Sequence, residues 1–202
     1  ALHLEGDIDG NVLNESVKKV VERHDSLRTV FYEENYSPQQ KILESIDFDI
    51  ETENISLENE NREEVIRKLV NIESGKVFDL EKSPLFSIKL VNFSETDHII
   101  ILNMHHIISD GWSMGIFVQE ISAVYDAILK KRDINLPALK IQYPDYSAWQ
   151  RKWMKGSEFE KELNYWKENL KEVPDLIKLP TDRDRPKIQT FRGKRTQKQI
   201  KT

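Results

Sequence analysis

The sequence predicts an α/β fold in which a mixed β-sheet is flanked by helices. Residues 98–106, "HIIILNMHH", form a nearly continuous apolar run, which is typical of a strand covered on both faces. Segments 61–74 and 112–130 place apolar residues at helical spacing. Strand-like and helix-like segments also alternate along the chain, without repeats or low-complexity stretches. This alternation indicates one layered architecture.

The first sixty residues combine short strands with one helix. Residues 2–8 alternate in polarity and predict a strand. A helix is expected over 14–24, with Asn14 as its N-cap and valines along one stripe. Residues 26–34 are rich in β-branched and aromatic residues and predict a second strand. The stretch "SPQQ" is expected to be a turn, followed by two more strands at "QKILE" and "FDIETEN".

The middle of the chain has clearer boundaries. Asn61 and Glu64 form a capping signature for the helix over 61–74, and Gly75 follows its end. Strands are expected over 85–93 and 98–106, on either side of the turn "SETD". The helix over 112–130 comes next, and "INLPALKIQYP" predicts a loop.

The last third predicts two aromatic helices. The first covers about 144–154, and the second opens with a capping box formed by Ser157 and Glu160. Aromatic residues at helical spacing favour core packing, and we expect it here for Tyr146, Trp149, Trp153 and Trp166. Trp112, beside Gly111, can line a cavity or start the helix, and we favour packing. Residues 179–186 predict an irregular crossover, and "QTFRGK" a weak strand.

Composition excludes several classes of function. The 202 residues contain no cysteine, which excludes disulfides, thiolate catalysis and cysteine-based metal sites. A net charge of −5 disfavours nucleic acid as a partner. No apolar run approaches the length of a membrane span, so no membrane association is expected. The first residues lack the features of a secretory signal, and we expect a cytoplasmic location.

The stretch "MHHIISDGWS" (104–113) carries the strongest chemical signal. His105 and His106 follow the most apolar strand, where neighbouring side chains point to opposite faces. One imidazole can therefore face a cavity while the other packs behind it. This geometry argues against a shared metal ion, and no third ligand stands at a recognised spacing. Neither nearby serine lies in the Gly-x-Ser-x-Gly elbow of a hydrolase.

Asp110 and Gly111 close the same turn. Asp110 can orient an imidazole or form a structural ion pair, and the second is favoured because a carboxylate beside a buried strand needs compensation. Arg28 is the candidate partner. Gly111 allows an unusual backbone angle or leaves open space beside the turn. Together these residues indicate an organised loop at the mouth of a cavity.

Four segments in this order resemble the core motifs of condensation domains of nonribosomal peptide synthetases. They are "RHDSLRTVF" (23–31), "MHHIISDGWS" (104–113), "YPDYSAWQ" (143–150) and "LPTDRDRP" (179–186). The family's central motif is His-His-x-x-x-Asp-Gly, which His105, His106, Asp110 and Gly111 match. The likeness runs over most of the chain.

The resemblance implies a chloramphenicol acetyltransferase-like lobe, one half of a V-shaped domain with the active site in a tunnel between two lobes. It implies amide formation between a donor acyl or peptidyl thioester and an acceptor amine, both held on carrier proteins by phosphopantetheine arms. It also implies catalysis by the motif histidines, with His106 as the acting residue beside His105. Asp110, Arg28 and Gly111 then support the site, with Asp110 paired to Arg28. No directly bound cofactor and no metal are expected.

The expected partners are upstream and downstream peptidyl carrier proteins, an adenylation domain and a C-terminal lobe. The family's first motif and second lobe are missing, so the chain resembles an N-terminal lobe over 1–178 with a crossover over 179–202. Alone, this lobe is expected to be inactive. The alternatives are an epimerising relative, an acyltransferase acting on coenzyme A thioesters, and a non-catalytic lobe that docks carrier proteins.

Overall fold

The computed structural model describes residues 1–57, 60–174, 176–177, 179–184, 186–188 and 200. The elements follow in this order: β1 (Leu2–Glu5), α1 (Gly10–Arg23), a 3₁₀ turn (Asp25–Arg28), β2 (Thr29–Glu34), β3 (Ser37–Ile42), β4 (Glu51–Asn54), α2 (Arg62–Ser74), β5 (Phe86–Asn92), β6 (Asp97–Met104), α3 (Gly111–Leu129), α4 (Tyr143–Trp153) and α5 (Ser157–Asn169).

A four-stranded mixed sheet forms the centre of the fold, in the order β1-β6-β5-β4. The β1–β6 and β5–β6 pairs are antiparallel, whereas β4 and β5 run parallel. Strands β2 and β3 form a separate antiparallel hairpin. The predicted mixed sheet flanked by helices is confirmed.

Both faces of β5 and β6 are buried, as the apolar run over 98–106 predicts. On one face lies a core cluster to which α1 and α3 contribute, and its buried members are Leu13, Val17, Val20, Val21, Leu27, Leu85, Phe86, Ile88, Leu90, Ile100, Ile108, Phe117, Ile121 and Val124. On the other face, Val91, Ile99 and Ile101 pack against apolar residues that include Ile66, Leu69 and Val70 of α2. Burial from both sides fixes the register of β6, and therefore the place where the chain leaves the sheet.

Several predicted boundaries are confirmed, and others are wrong. Asn61 caps α2 by accepting hydrogen bonds from two backbone N–H groups of the first turn. Asn14 does not cap α1, because the helix begins at Gly10 and Asp9 accepts from the N–H groups of Asn11 and Val12. The expected turn "SPQQ" is the start of β3. The true turn lies one step earlier, at Asn35 and Tyr36, where both φ angles are positive.

The chain divides into two compact units, Ala1–Trp153 and Met154–Thr202. The second unit contains α5, whose N-cap is Gly156; it offers no side-chain acceptor, so the predicted capping box at Ser157 is wrong. Most of the predicted strand "QTFRGK" and of the crossover around it lies outside the described residues. The expected boundary between residues 178 and 179 stays a prediction.

Candidate functional site

The paired histidines lie where β6 leaves the sheet. The backbone N–H of His105 donates to the carbonyl of Leu85 at 2.9 Å, which extends the β5–β6 ladder by one residue. The carbonyl of His105 then accepts from the N–H of Ile108 at 3.1 Å, and this bond closes a tight turn. The turn ends at Asp110, and α3 begins at Gly111. A buried strand and a buried helix therefore hold the loop from both ends.

The two imidazoles occupy different environments. His105 is half-buried, and its Nδ1 accepts from the N–H of Ile107 at 3.0 Å, which places its proton on Nε2. Its ring meets that of Phe78 edge to face, with 6.4 Å between centroids. His106 is exposed, and within the described part of the chain its ring makes no hydrogen bond. Of the two, His106 is the one whose imidazole is exposed.

His106 lines a cavity of about 170 Å³, which we call the site cavity. Its other lining residues are Ser26, Ile107, Ile108, Ser109, Asp110, Ser113 and Tyr143. They come from the 3₁₀ turn, from the loop after β6, from the start of α3 and from the start of α4. The cavity is thus built where segments far apart in sequence meet.

Asp110 caps the first turn of α3. Its Oδ1 accepts from the backbone N–H of Ser113 at 2.8 Å and from the Ser113 hydroxyl at 2.6 Å. In return, the N–H of Asp110 donates to Ser113 Oγ at 3.3 Å, which completes a capping box. The pKa of Asp110 is lowered, and the largest cause is the hydrogen bond from the Ser113 hydroxyl. Hydrogen bonds from nearby N–H groups and the charge of His106 lower it further. The carboxylate is therefore ionised at neutral pH beside the exposed imidazole.

The expected ion pair between Asp110 and Arg28 is wrong. The Arg28 guanidinium instead donates to Asp25 Oδ1 at 2.7 Å. Its other donors bind four backbone carbonyls, two at the end of α1 and two just after β3, namely those of Val21, Glu22, Leu43 and Glu44. The physical reason is that Asp110 already uses its carboxylate as a helix cap, while Arg28 is surrounded by acceptors closer in sequence. Arg28 ties the 3₁₀ turn that carries Ser26 to the end of α1 and to the segment after β3.

Gly111 contributes open space. A Cβ atom built at this position would meet no atom within 4 Å, and its φ lies outside the left-handed region. Of the two roles expected for Gly111, the open space beside the turn is the one observed.

The aromatic residues expected in the core are largely exposed. Trp112 is 82% exposed at the start of α3. Tyr146, Trp149 and Trp153 are 40–56% exposed and follow one another along α4, with ring centroids 5.7 and 6.3 Å apart. Trp166 on α5 is 55% exposed. Helical spacing shows that these residues share one face of a helix, but it does not show whether another element packs on that face. The prediction of core packing is therefore wrong for them.

Sequence reasoning missed several residues near the site. Ser26 and Tyr143 line the site cavity, and the only signal for them is that both lie in segments that carry the family resemblance. His24 donates from Nε2 to Glu120 Oε2 at 2.6 Å, and Arg23 Nε donates to Glu120 Oε1 at 3.2 Å. No local sequence pattern could have predicted these contacts, because Glu120 lies 96 residues from His24 and 97 from Arg23.

The described residues contain no group of three or more histidine, aspartate or glutamate side chains arranged to hold a metal ion. None of their helices is long and apolar enough to cross a membrane.

Comparison with known proteins identifies the family. A family model described as Condensation domain matches residues 1–202. A linear gramicidin synthase from Brevibacillus parabrevis is 37% identical over 194 residues, which cover 96% of this chain and 2% of that protein. The chain therefore corresponds to a small part of this much longer relative.

Two solved structures are similar in fold. The EpoB cyclization-docking bidomain from Sorangium cellulosum is 27% identical with a TM-score of 0.75, over 90% of this chain and 35% of that one. The epimerization domain from the third module of tyrocidine synthetase B is 27% identical with a TM-score of 0.74, over 90% of this chain and 41% of that one. With a mixed sheet flanked by helices, the histidine pair at the end of an inner strand and a family match along its whole length, the chain belongs to the condensation-domain family.

Proposed function

We propose that this chain is the N-terminal lobe of a condensation domain that forms amide bonds in a nonribosomal peptide synthetase. The acceptor amine attacks the carbonyl carbon of the donor thioester, a C–N bond forms, the C–S bond breaks, and the donor carrier leaves as a thiol. The family match, the synthetase relative and the motif histidines support this reaction. Both substrates arrive on phosphopantetheine arms, so the lobe itself needs no bound cofactor.

The single observation that carries the proposal is the exposed imidazole of His106 on the site cavity. An amine that attacks a thioester must lose a proton, and an imidazole can accept one near neutral pH. The ionised Asp110 lines the same cavity as His106. His105, half-buried and bonded to its own loop, braces the turn that presents His106.

The proposed partners follow from the same chemistry. Two carrier proteins deliver the donor and the acceptor, an adenylation domain loads the acceptor carrier, and a C-terminal lobe supplies the opposite wall of the reaction site. Holding both tethered reactants at one cavity would supply much of the rate acceleration.

The test is His106→Ala in the intact two-lobed domain, with both carriers loaded. We expect the rate of amide formation to fall by about 10²–10⁴-fold, the usual contribution of a general acid–base group. Binding of both carriers should be unchanged. His3→Ala is a matched control, because it removes a half-exposed imidazole from β1 at the opposite end of the sheet. An unaltered rate in His106→Ala would refute the catalytic role of His106, and absence of amide from the wild-type domain would favour a non-catalytic docking lobe.

Epimerisation is the second candidate, favoured by the likeness to the tyrocidine synthetase epimerization domain. It predicts that the intact domain changes the stereochemistry of an aminoacyl or peptidyl group on its carrier, without a second loaded carrier. Chiral analysis of the released residue separates the two activities. Amide product with retained configuration supports condensation.

A further inference from the structure

A second, smaller cavity adjoins the site cavity, and we call it the side cavity. Its volume is about 120 Å³. The two cavities share four lining residues, Ser26, Ile108, Ser109 and Ser113. A molecule whose reacting atoms lie beside His106 would therefore have its neighbouring groups within reach of the side cavity.

The remaining walls of the side cavity are mostly apolar. They are formed by His24, Leu27, Met104, Ile116 and Phe117. Leu27 and Phe117 are 6% and 5% exposed and belong to the core, as does the shared residue Ile108. Because close-packed side chains hold these walls, the cavity has a defined shape.

His24 lines the side cavity and is already paired with Glu120. Both oxygens of Glu120 are engaged, one by Arg23 and the other by His24. A charged ligand group would therefore lose its hydration without gaining a counter-charge, which is costly. The lining therefore favours an uncharged group, and its apolar half, formed by Leu27, Met104, Ile108, Ile116 and Phe117, favours an aliphatic one.

The volume limits the size of that group. An apolar cavity of about 150 Å³ can hold benzene. At about 120 Å³ the side cavity is smaller, so its volume favours a branched aliphatic group over the bulkier benzyl group of a phenylalanyl substrate.

We propose that the side cavity binds the aliphatic side chain of a reactant and thereby sets the substrate preference of the domain. This inference rests on the proposed function. The amine and the thioester meet at His106, so the aliphatic group belongs either to the acceptor amino acid or to the residue at the donor carbonyl. The chemistry recognised is the same in both cases.

The experiment measures amide formation by the intact domain with two substrate series. In one series the acceptor carrier bears a glycyl, valyl, leucyl or phenylalanyl group, and the donor is constant. In the other series the donor is varied in the same way and the acceptor is constant. We expect valyl or leucyl groups to react at least about ten-fold faster than glycyl and phenylalanyl groups in one of the two series, as a buried aliphatic contact allows.

Two variants change the volume of the side cavity in opposite directions. Ile116→Trp fills it, and because Ile116 is 40% exposed the larger side chain can be accommodated. This variant should shift the preference to glycyl substrates. Met104→Ala enlarges the cavity and should raise the relative rate of phenylalanyl substrates. Leu129→Trp, at the far end of the same helix and 49% exposed, is the matched control and should leave the preference unchanged.

The outcomes separate the two proposals. If the wild-type domain forms amides but Ile116→Trp and Met104→Ala leave the relative rates unchanged in both series, the side cavity does not bind a side chain. If the wild type has no preference for aliphatic groups in either series, the inference is likewise overturned, while amide formation stands. If no pair of loaded carriers gives an amide, the proposed function fails and the inference fails with it.

Discussion

Arg28→Ala should destabilise the fold strongly. The reason is the loss of the bonds to Asp25 and to backbone carbonyls, not the loss of the Asp110 ion pair that the family resemblance implies. The Arg28 side chain is 12% exposed and joins Asp25 to the end of α1 and to the segment after β3. Loss of a charged, largely buried hydrogen bond costs about 1.5–3 kcal/mol. The carbonyls that Arg28 no longer binds can partly rehydrate, so we take the total loss in the free energy of unfolding as about 3 kcal/mol.

That loss is large relative to a typical stability of about 5–15 kcal/mol. For a chain of this size it corresponds to a fall in Tm of about 6–12 °C. Urea unfolding followed by tryptophan fluorescence measures the free energy of unfolding directly. Arg132→Ala, which removes an exposed arginine paired with Asp126, is the control and should change little. Arg28→Lys should recover only part of the loss, because an ammonium group cannot reproduce the several planar N–H donors of a guanidinium.

A double-mutant cycle identifies the partner of Arg28. The effects of Arg28→Ala and Asp25→Ala should be strongly non-additive, since the two side chains are bonded at 2.7 Å. The effects of Arg28→Ala and Asp110→Ala should add, since among the described residues these two form no ion pair. Stronger coupling to Asp110 than to Asp25 would refute this reasoning and restore the ion pair that the sequence predicts.

Three further predictions concern the surroundings of the site and the reaction. Glu120→Gln should lower the free energy of unfolding by about 2 kcal/mol in urea titrations, because Arg23 and His24 lose a shared carboxylate. The pKa of Asp97 is lowered, chiefly by its hydrogen bonds with Arg62. The stability that this carboxylate contributes is therefore complete above its unfolded pKa of about 4. It is lost as the pH falls from there through the lower pKa that Asp97 has in the folded chain. Asp97→Asn should therefore weaken the acid dependence of the urea midpoint between pH 7 and 2. The isolated 202-residue chain should give no amide in the loaded-carrier assay, whereas a chain extended through a second lobe should; equal turnover would contradict the two-lobed site.

Elements that depend on neighbouring residues could be read from the sequence. The cap of α2 at Asn61 lies within three residues of the N–H groups that it binds. The apolar run of β6 reflects burial on both faces, and the two strands β5 and β6 are joined by a short turn. Such signals are local, and the structure confirms them.

Elements that depend on distant parts of the chain were misjudged. Asn14 has the side chain of an N-cap, but its amide binds Asp49 at 2.7 Å and the N–H of Ile50 at 3.0 Å. That contact crosses 36 residues, and no pattern around Asn14 indicates it. The expected turn at "SPQQ" is wrong for a different, local reason: the chain turns at Asn35 and Tyr36, so this proline-containing stretch pairs with β2 as an edge strand.

By itself, the sequence determined the α/β class, the covered strand and the motif that ends it, because periodicity, capping and motif spacing are properties of consecutive residues. Only the tertiary structure decided that His106 is exposed on a cavity that Ser26 and Tyr143 also line, and that Arg28 binds the carbonyls of Leu43 and Glu44. These outcomes depend on which acceptors and donors the folded chain brings within about 3 Å, a distance that hydrogen bonds require and that sequence separation does not predict.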